Sequence, residues 1–131
     1  MIKGNELRLG NFVKDRGEKT IRIDVIEYVR NRYHTKFGQL MYLEGQEVNR
    51  MTEYSDHAFA IPITIEWLYR LRFQKIAGNF EFTDGTTTIV VHNNEVFEVI
   101  EGQWKSYKHI KFVHQLQNLW YYLTGNELES L

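Results

Sequence analysis

The segment Asn79–Val113 reads NFEFTDGTTTIVVHNNEVFEVIEGQWKSYKHIKFV. Its runs are rich in Thr, Val, Ile and Phe, which suit a pleated surface, and they are separated by Asp84-Gly85, Asn93-Asn94 and Gly102. Asp-Gly and Asn-Asn fit two-residue type I′ turns, whose central residues both need positive φ. Four antiparallel strands in a meander follow from this punctuation, with Ile110 and Phe112 on one face of the last and Lys111 on the other.

On the C-terminal side the chain continues VHQLQNLWYYLTGNEL, Val113–Leu128, and holds no Asp, Glu, Lys or Arg from Phe112 to Asn126. Leu116, Leu119, Trp120 and Leu123 recur at helical spacing. The spacing predicts a helix from about His114 to Thr124, ended by Gly125 in the left-handed conformation, with Asn126–Leu131 as a short acidic tail. Opposite the leucines lie His114, Gln117, Asn118 and Tyr121, edged by Gln115 and Tyr122. These side chains bond without burying a full charge, and burying an amide costs far less than burying an ion. The face therefore suits being covered. The simpler cover is the first half of the same chain, and the alternative is a second molecule. His114, Gln115, Gln117, Asn118, Tyr121 and Tyr122 are the candidate protein-binding residues.

On the N-terminal side, AFAIPITIEWLYRLRF (Ala58–Phe73) contains the only proline, which holds Ile61 extended. Thr64 can cap a helix starting at Ile65, with Glu66 in its first turn. Ile65, Leu68 and Leu71 would share the apolar face, flanked by Trp67, and Glu66 and Arg70 would pair at i,i+4. Before this, LRLGNFV (Leu7–Val13) and TIRIDVIEYV (Thr20–Val29) read as a hairpin around a turn holding Asp15 and Gly17. A further pair is expected from Tyr33 through Leu43 and around Val48–Tyr54, with Gly45 at the turn. The reading is α+β: a small SH3-like, barrel-like antiparallel sheet, a short helix, a four-stranded antiparallel meander and a C-terminal helix. It is expected as one compact domain over 1–131, with a barrel-like part (1–60) and an α-β-β-β-β-α part (61–131) packed together.

Composition narrows the chemistry. The chain has 131 residues, 43% hydrophobic and 25% charged, as folded soluble proteins do. It has no cysteine, which excludes disulfides, thiolate metal sites and cysteine nucleophiles. No stretch nears the roughly 20 apolar residues of a membrane span, and MIKGNELRLG is no signal peptide, so a cytoplasmic protein with no membrane partner is expected. Net charge is −1: residues 1–60 hold ten Lys/Arg against nine Asp/Glu, and residues 61–131 hold six against eight. Neither half has the excess of a general nucleic-acid binder. No GxSxG, P-loop, GxGxxG or HExxH motif is present. The histidines His34, His57, His92, His109 and His114 have no ligand spacing on one element. A non-enzymatic chain without cofactor or metal is expected.

Within YVRNRYHTKF (Tyr28–Phe37), Arg30, Arg32, Tyr33, Lys36 and Phe37 combine cations with aromatics, as single-strand binders do. They are the candidate nucleic-acid-binding residues. A charged hairpin with ordinary strand aromatics has the same pattern, and Glu44, Glu47, Glu53 and Asp56 follow closely.

Three segments carry a resemblance. His114–Leu128, HQLQNLWYYLTGNEL, resembles the closing H-Q-L-Q-N-L, aromatics, L-T-G-x-E-L of a family of small uncharacterised proteins from Bacteroidetes genomes, prophages and mobile elements. ELRLGNFV (Glu6–Val13) is similar to the family's L-R-I-G-N-W/Y-V strand, and IPITIEWL (Ile61–Leu68) to its I-P-L-T-x-E-W-L segment. Relatives often have glycine where this chain has Arg72. The resemblance implies a bacterial protein with a phage or mobile-element connection and supplies no catalytic residues. The expected function is a protein-binding or assembly module, as a homo-oligomer or with another protein. A nucleic-acid-binding accessory protein is the alternative, and an enzyme with an unrecognised site the weaker one.

Overall fold

The computed structural model describes residues 7–14, 17–23, 25–29, 32–36, 52–54 and 59–128. The chain divides into two units, Met1–Ile61 and Pro62–Leu131. Helices and antiparallel sheets occupy separate stretches of sequence, so the fold is α+β.

In the first unit, β1 (Phe12–Lys14) pairs antiparallel with β2 (Thr20–Arg22), Val13 opposite Ile21. The expected hairpin forms, but its first strand is shorter than Leu7–Val13. Gly10 has φ 87°. The Asn11 N–H donates to the Arg8 carbonyl at 3.1 Å, and the Asn11 Oδ1 accepts from the Arg8 N–H at 2.6 Å. These bonds close a turn over Arg8–Asn11 and postpone the strand to Phe12. Asn11 is fully buried, and Leu7, Val13, Ile21 and Ile23 form the apolar cluster beside it, with Ala60 against them.

The long run Thr20–Val29 also divides. β3 (Val25–Val29) leaves β1 and pairs with β4 (Arg32–Lys36), which pairs in turn with β5 (Thr52–Tyr54). The described strands of this unit thus form a two-stranded and a three-stranded sheet. Asp15, residues 37–51 with the expected turn at Gly45, and residues 129–131 of the acidic tail lie outside the described residues.

The second unit opens with α1 (Ile65–Arg70). Thr64 caps it, its Oγ1 accepting from the Trp67 N–H at 3.2 Å. The buried residues are Trp67, Leu68 and Leu71, whereas Ile65 is 60% exposed. The apolar face is therefore rotated from the expected Ile65–Leu68–Leu71 stripe, because the large Trp67 ring takes the covered side. Arg70 follows the ring, its guanidinium 4.1 Å above the Trp67 centroid, in place of the expected pairing with Glu66. The helix ends in a Schellman motif: the Phe73 N–H donates to the Leu68 carbonyl and the Arg72 N–H to the Tyr69 carbonyl. Arg72 occupies the left-handed position, φ 69°.

A five-stranded meander follows: β6 (Gln74–Ile76), β7 (Asn79–Thr83), β8 (Thr88–His92), β9 (Glu95–Ile100) and β10 (Gln103–Tyr107), each beside its neighbours in sequence. The expected four strands gain β6, turned back by Ala77 (φ 51°) and Gly78 (φ 85°). Asn93 and Asn94 both have positive φ, as the type I′ reading requires, and so do Glu101 and Gly102. Asp84-Gly85 behaves otherwise. Thr83 pairs with Thr88, leaving a four-residue loop. The Asp84 Oδ1 accepts from the Thr86 and Thr87 N–H groups at 2.8 and 2.7 Å, closing the loop through a side chain. β10 stops at Tyr107, short of the expected run to Val113, because the Ile110 N–H folds back to the Tyr107 carbonyl. Phe112 instead bridges Pro62.

α2 (Val113–Thr124) closes the unit. The Gln115 Oε1 accepts from the Lys111 and Phe112 N–H groups at 2.8 and 3.1 Å, satisfying donors at the helix start. Gly125 ends the helix at φ 74°, its N–H donating to the Tyr121 carbonyl. Cross-strand partners point to the same face of a sheet, so Phe80, Phe82, Ile89, Val91 and Val96 share one face. Both helices reach it. The Tyr69 ring meets Phe80 edge-on at 5.4 Å, and Phe82 lies between Phe73 at 5.5 Å and Trp120 at 4.8 Å.

Candidate functional site

The expected protein-binding set on α2 is divided by the fold. His114 and Gln117 are each only 1% exposed. They are covered within the chain and form no part of a surface open to another molecule. Gln115 and Asn118 are half-buried, and Gln115 is committed to the helix start. Tyr121 and Tyr122, 44% and 82% exposed, remain in solvent. The absence of charge follows from this geometry. Val113, His114, Leu116, Gln117, Leu119 and Trp120 are all buried, an arc well over half the helix circumference. A lysine or glutamate on that arc would be buried as an ion, at far greater cost than an amide or a neutral imidazole.

Of the nucleic-acid candidates, Arg32, Tyr33 and Lys36 lie in β4, opposite Val29, Tyr28 and Val25. Arg30 and Phe37 lie outside the described residues. Among the described residues no group of three or more His, Asp or Glu could hold a metal ion, and no helix is long and apolar enough to cross a membrane.

A different surface emerges on the sheet face turned away from the two helices. Trp104 sits in β10 opposite Val99, on the same face as Phe97. Its ring lies 5.2 Å from Phe97 and 5.8 Å from His92. Phe97 is half-buried and His92 exposed, while Trp104 is 45% exposed. His92 is itself held by Asn79 on β7, through Nδ1 and Oδ1. Beside the tryptophan a depression of about 330 Å³ is lined by Ile100, Glu101, Gln103, Trp104 and Lys105.

The reverse side of β10 carries Lys105 and Tyr107 opposite Glu98 and Val96. The Tyr107 Oη donates to the Glu98 Oε1 at 2.8 Å, and the Lys105 Nζ lies 5.2 Å from the Tyr107 ring centroid. Burial, then the bond to Glu98, pushes the Tyr107 phenol above its ordinary value, so it stays a protonated donor. The arrangement offers aromatic area on one side of an edge strand and a cation on the other.

The sequence contains a signal for this surface beyond helical periodicity and hairpin punctuation. The last strand of a meander lies at a sheet edge, and this one carries Trp104 and Tyr107. From Gln103 to Asn126 there are three lysines and no carboxylate. Comparison with protein-family models, curated proteins and solved structures finds no match.

Proposed function

We propose that the chain is a non-enzymatic binding module for a protein partner and that contact is made through the Trp104 surface. The observation that carries this reading is a tryptophan left 45% exposed within a cluster of three aromatic rings on an otherwise ordered sheet. Tryptophan is the residue most able to anchor an interface, because its large apolar area gains most from leaving water. Tyr121 and Tyr122 extend the inventory of exposed aromatics on α2. The bacterial cytoplasm, and a phage or mobile element, are the setting we propose from the resemblance of the three sequence segments. The SH3-like barrel expected at the N-terminus belongs to the same proposal.

The test is a pull-down of the tagged full-length chain from its native host, with and without nuclease, alongside Trp104→Ala. The expected result is a protein retained after nuclease treatment and lost with Trp104→Ala. Material released by nuclease would support the nucleic-acid alternative, and unchanged capture by Trp104→Ala would reject this surface.

A further inference from the structure

We propose that β10 is a docking edge for an extended acidic segment of a partner protein, which adds to the sheet as a sixth strand. The proposal rests on the reading of the Trp104 surface as a protein-binding site and names the chemistry of its partner.

The first ground is main-chain bonding. β10 ends the order β10-β9-β8-β7-β6 and pairs with β9 alone. Gln103, Trp104, Lys105 and Ser106 are exposed. The outward N–H and C=O groups of such a strand are a template for another strand. The opposite edge, β6, offers only three residues.

The second ground is charge. Lys105, Lys108 and Lys111 are exposed, none of them takes part in the Lys14–Glu18 ion pair, and Lys105 lies against the Tyr107 ring. Glu98 is the cross-strand neighbour of Lys105 and also accepts the Tyr107 hydroxyl. Lys105 in β10 and Lys108 just beyond it give this edge two cations that carboxylates would complement, with Glu98 on the inner neighbour strand and Glu101 in the turn before β10.

Alternation along β10 then sets the partner's pattern. A sixth strand would meet Trp104 on one face and Lys105 on the other, so apolar and acidic residues should alternate in it. Two other occupants fit less well. Glu81 and Glu95 share the Trp104 face and would repel phosphates. A second copy paired antiparallel about the centre of β10 would place Lys105 opposite Lys105.

The probe is a nine-residue peptide of alternating Glu and Val, added to the full-length chain and followed by Trp104 fluorescence and by protection of the β10 amides from exchange. Controls are the same peptide N-methylated at alternate residues, a Lys/Val peptide and a single-stranded oligothymidine. The expected result is salt-sensitive binding of the Glu/Val peptide with protected β10 amides. N-methylation or Lys105→Glu with Lys108→Glu should weaken it by about tenfold or more, and the charge-reversed variant should gain the Lys/Val peptide. The proposal is overturned by absence of binding at millimolar peptide, by equal binding of the N-methylated peptide, or by preference for the oligonucleotide. A host protein lost with Trp104→Ala but kept by the double lysine variant would remove this proposal alone and leave the binding-module reading standing.

Discussion

Arg72 holds the left-handed turn after α1 at φ 69°, where a side chain costs roughly 1–2 kcal/mol. Glycine removes that cost but adds freedom to the unfolded chain. Arg72→Gly should therefore stabilise the protein by about 0.5–1 kcal/mol in urea denaturation, and a neutral or negative result would show that the position is not strained. Asp84 gives a second case. The Thr87 and then the Thr86 N–H groups hold its carboxylate below the ordinary 3.8. A carboxyl pKa lowered by folding contributes stability that is present above the unfolded value and lost as pH falls through the folded one. An NMR titration should place the Asp84 midpoint below 3.8, and Asp84→Asn should flatten the acid limb of the stability curve. Asp84-Gly85 was legible as a turn, but its length was not. A side chain that accepts two main-chain bonds lengthens a loop without altering the hydrophobic pattern. Trp104 was equally hard to read, because a strand aromatic looks the same in sequence whether covered or exposed.

Among the elements, α2 was legible from its leucine spacing and from Gly125, and α1 from Thr64, because caps and periodicity are local properties. β6 leaves no hydrophobic pattern in the sequence: Gln74–Ile76 is exposed throughout, so it has no buried face to impose alternation. On α1 the expected stripe holds at Leu68 and Leu71, and Trp67 takes the covered side in place of Ile65, because six residues are too few to fix a helical phase. On α2 the leucine side is core. Leu119→Ala should cost about 2–5 kcal/mol as a large-to-small truncation, measured by chemical denaturation, and a loss under about 1 kcal/mol would remove Leu119 from the core. The imidazole and amide of the His114 and Gln117 side suit a face made to be covered. It is covered within the chain, so its lack of charge reflects burial on a wide arc and needs no external partner.

For the whole chain, the three tryptophans make a direct optical check. Trp67 and Trp120 are 7% and 2% exposed, against 45% for Trp104. Acrylamide should quench one accessible class of emission, and Trp104→Phe should abolish that class. Retention of quenching in the variant would mean that Trp67 or Trp120 opens to solvent. The meander has a further consequence, for folding speed. Each of its strands pairs with its neighbour in sequence, through two-residue loops at three turns. Such low contact order favours rapid acquisition of the sheet, since single hairpins close in about 1–10 μs. The Pro62–Phe112 bridge is different, because it joins the start of the unit to the residue just before α2, across the whole meander. Its loop-closure entropy exceeds that of each hairpin, so the bridge should form after the hairpins of the sheet.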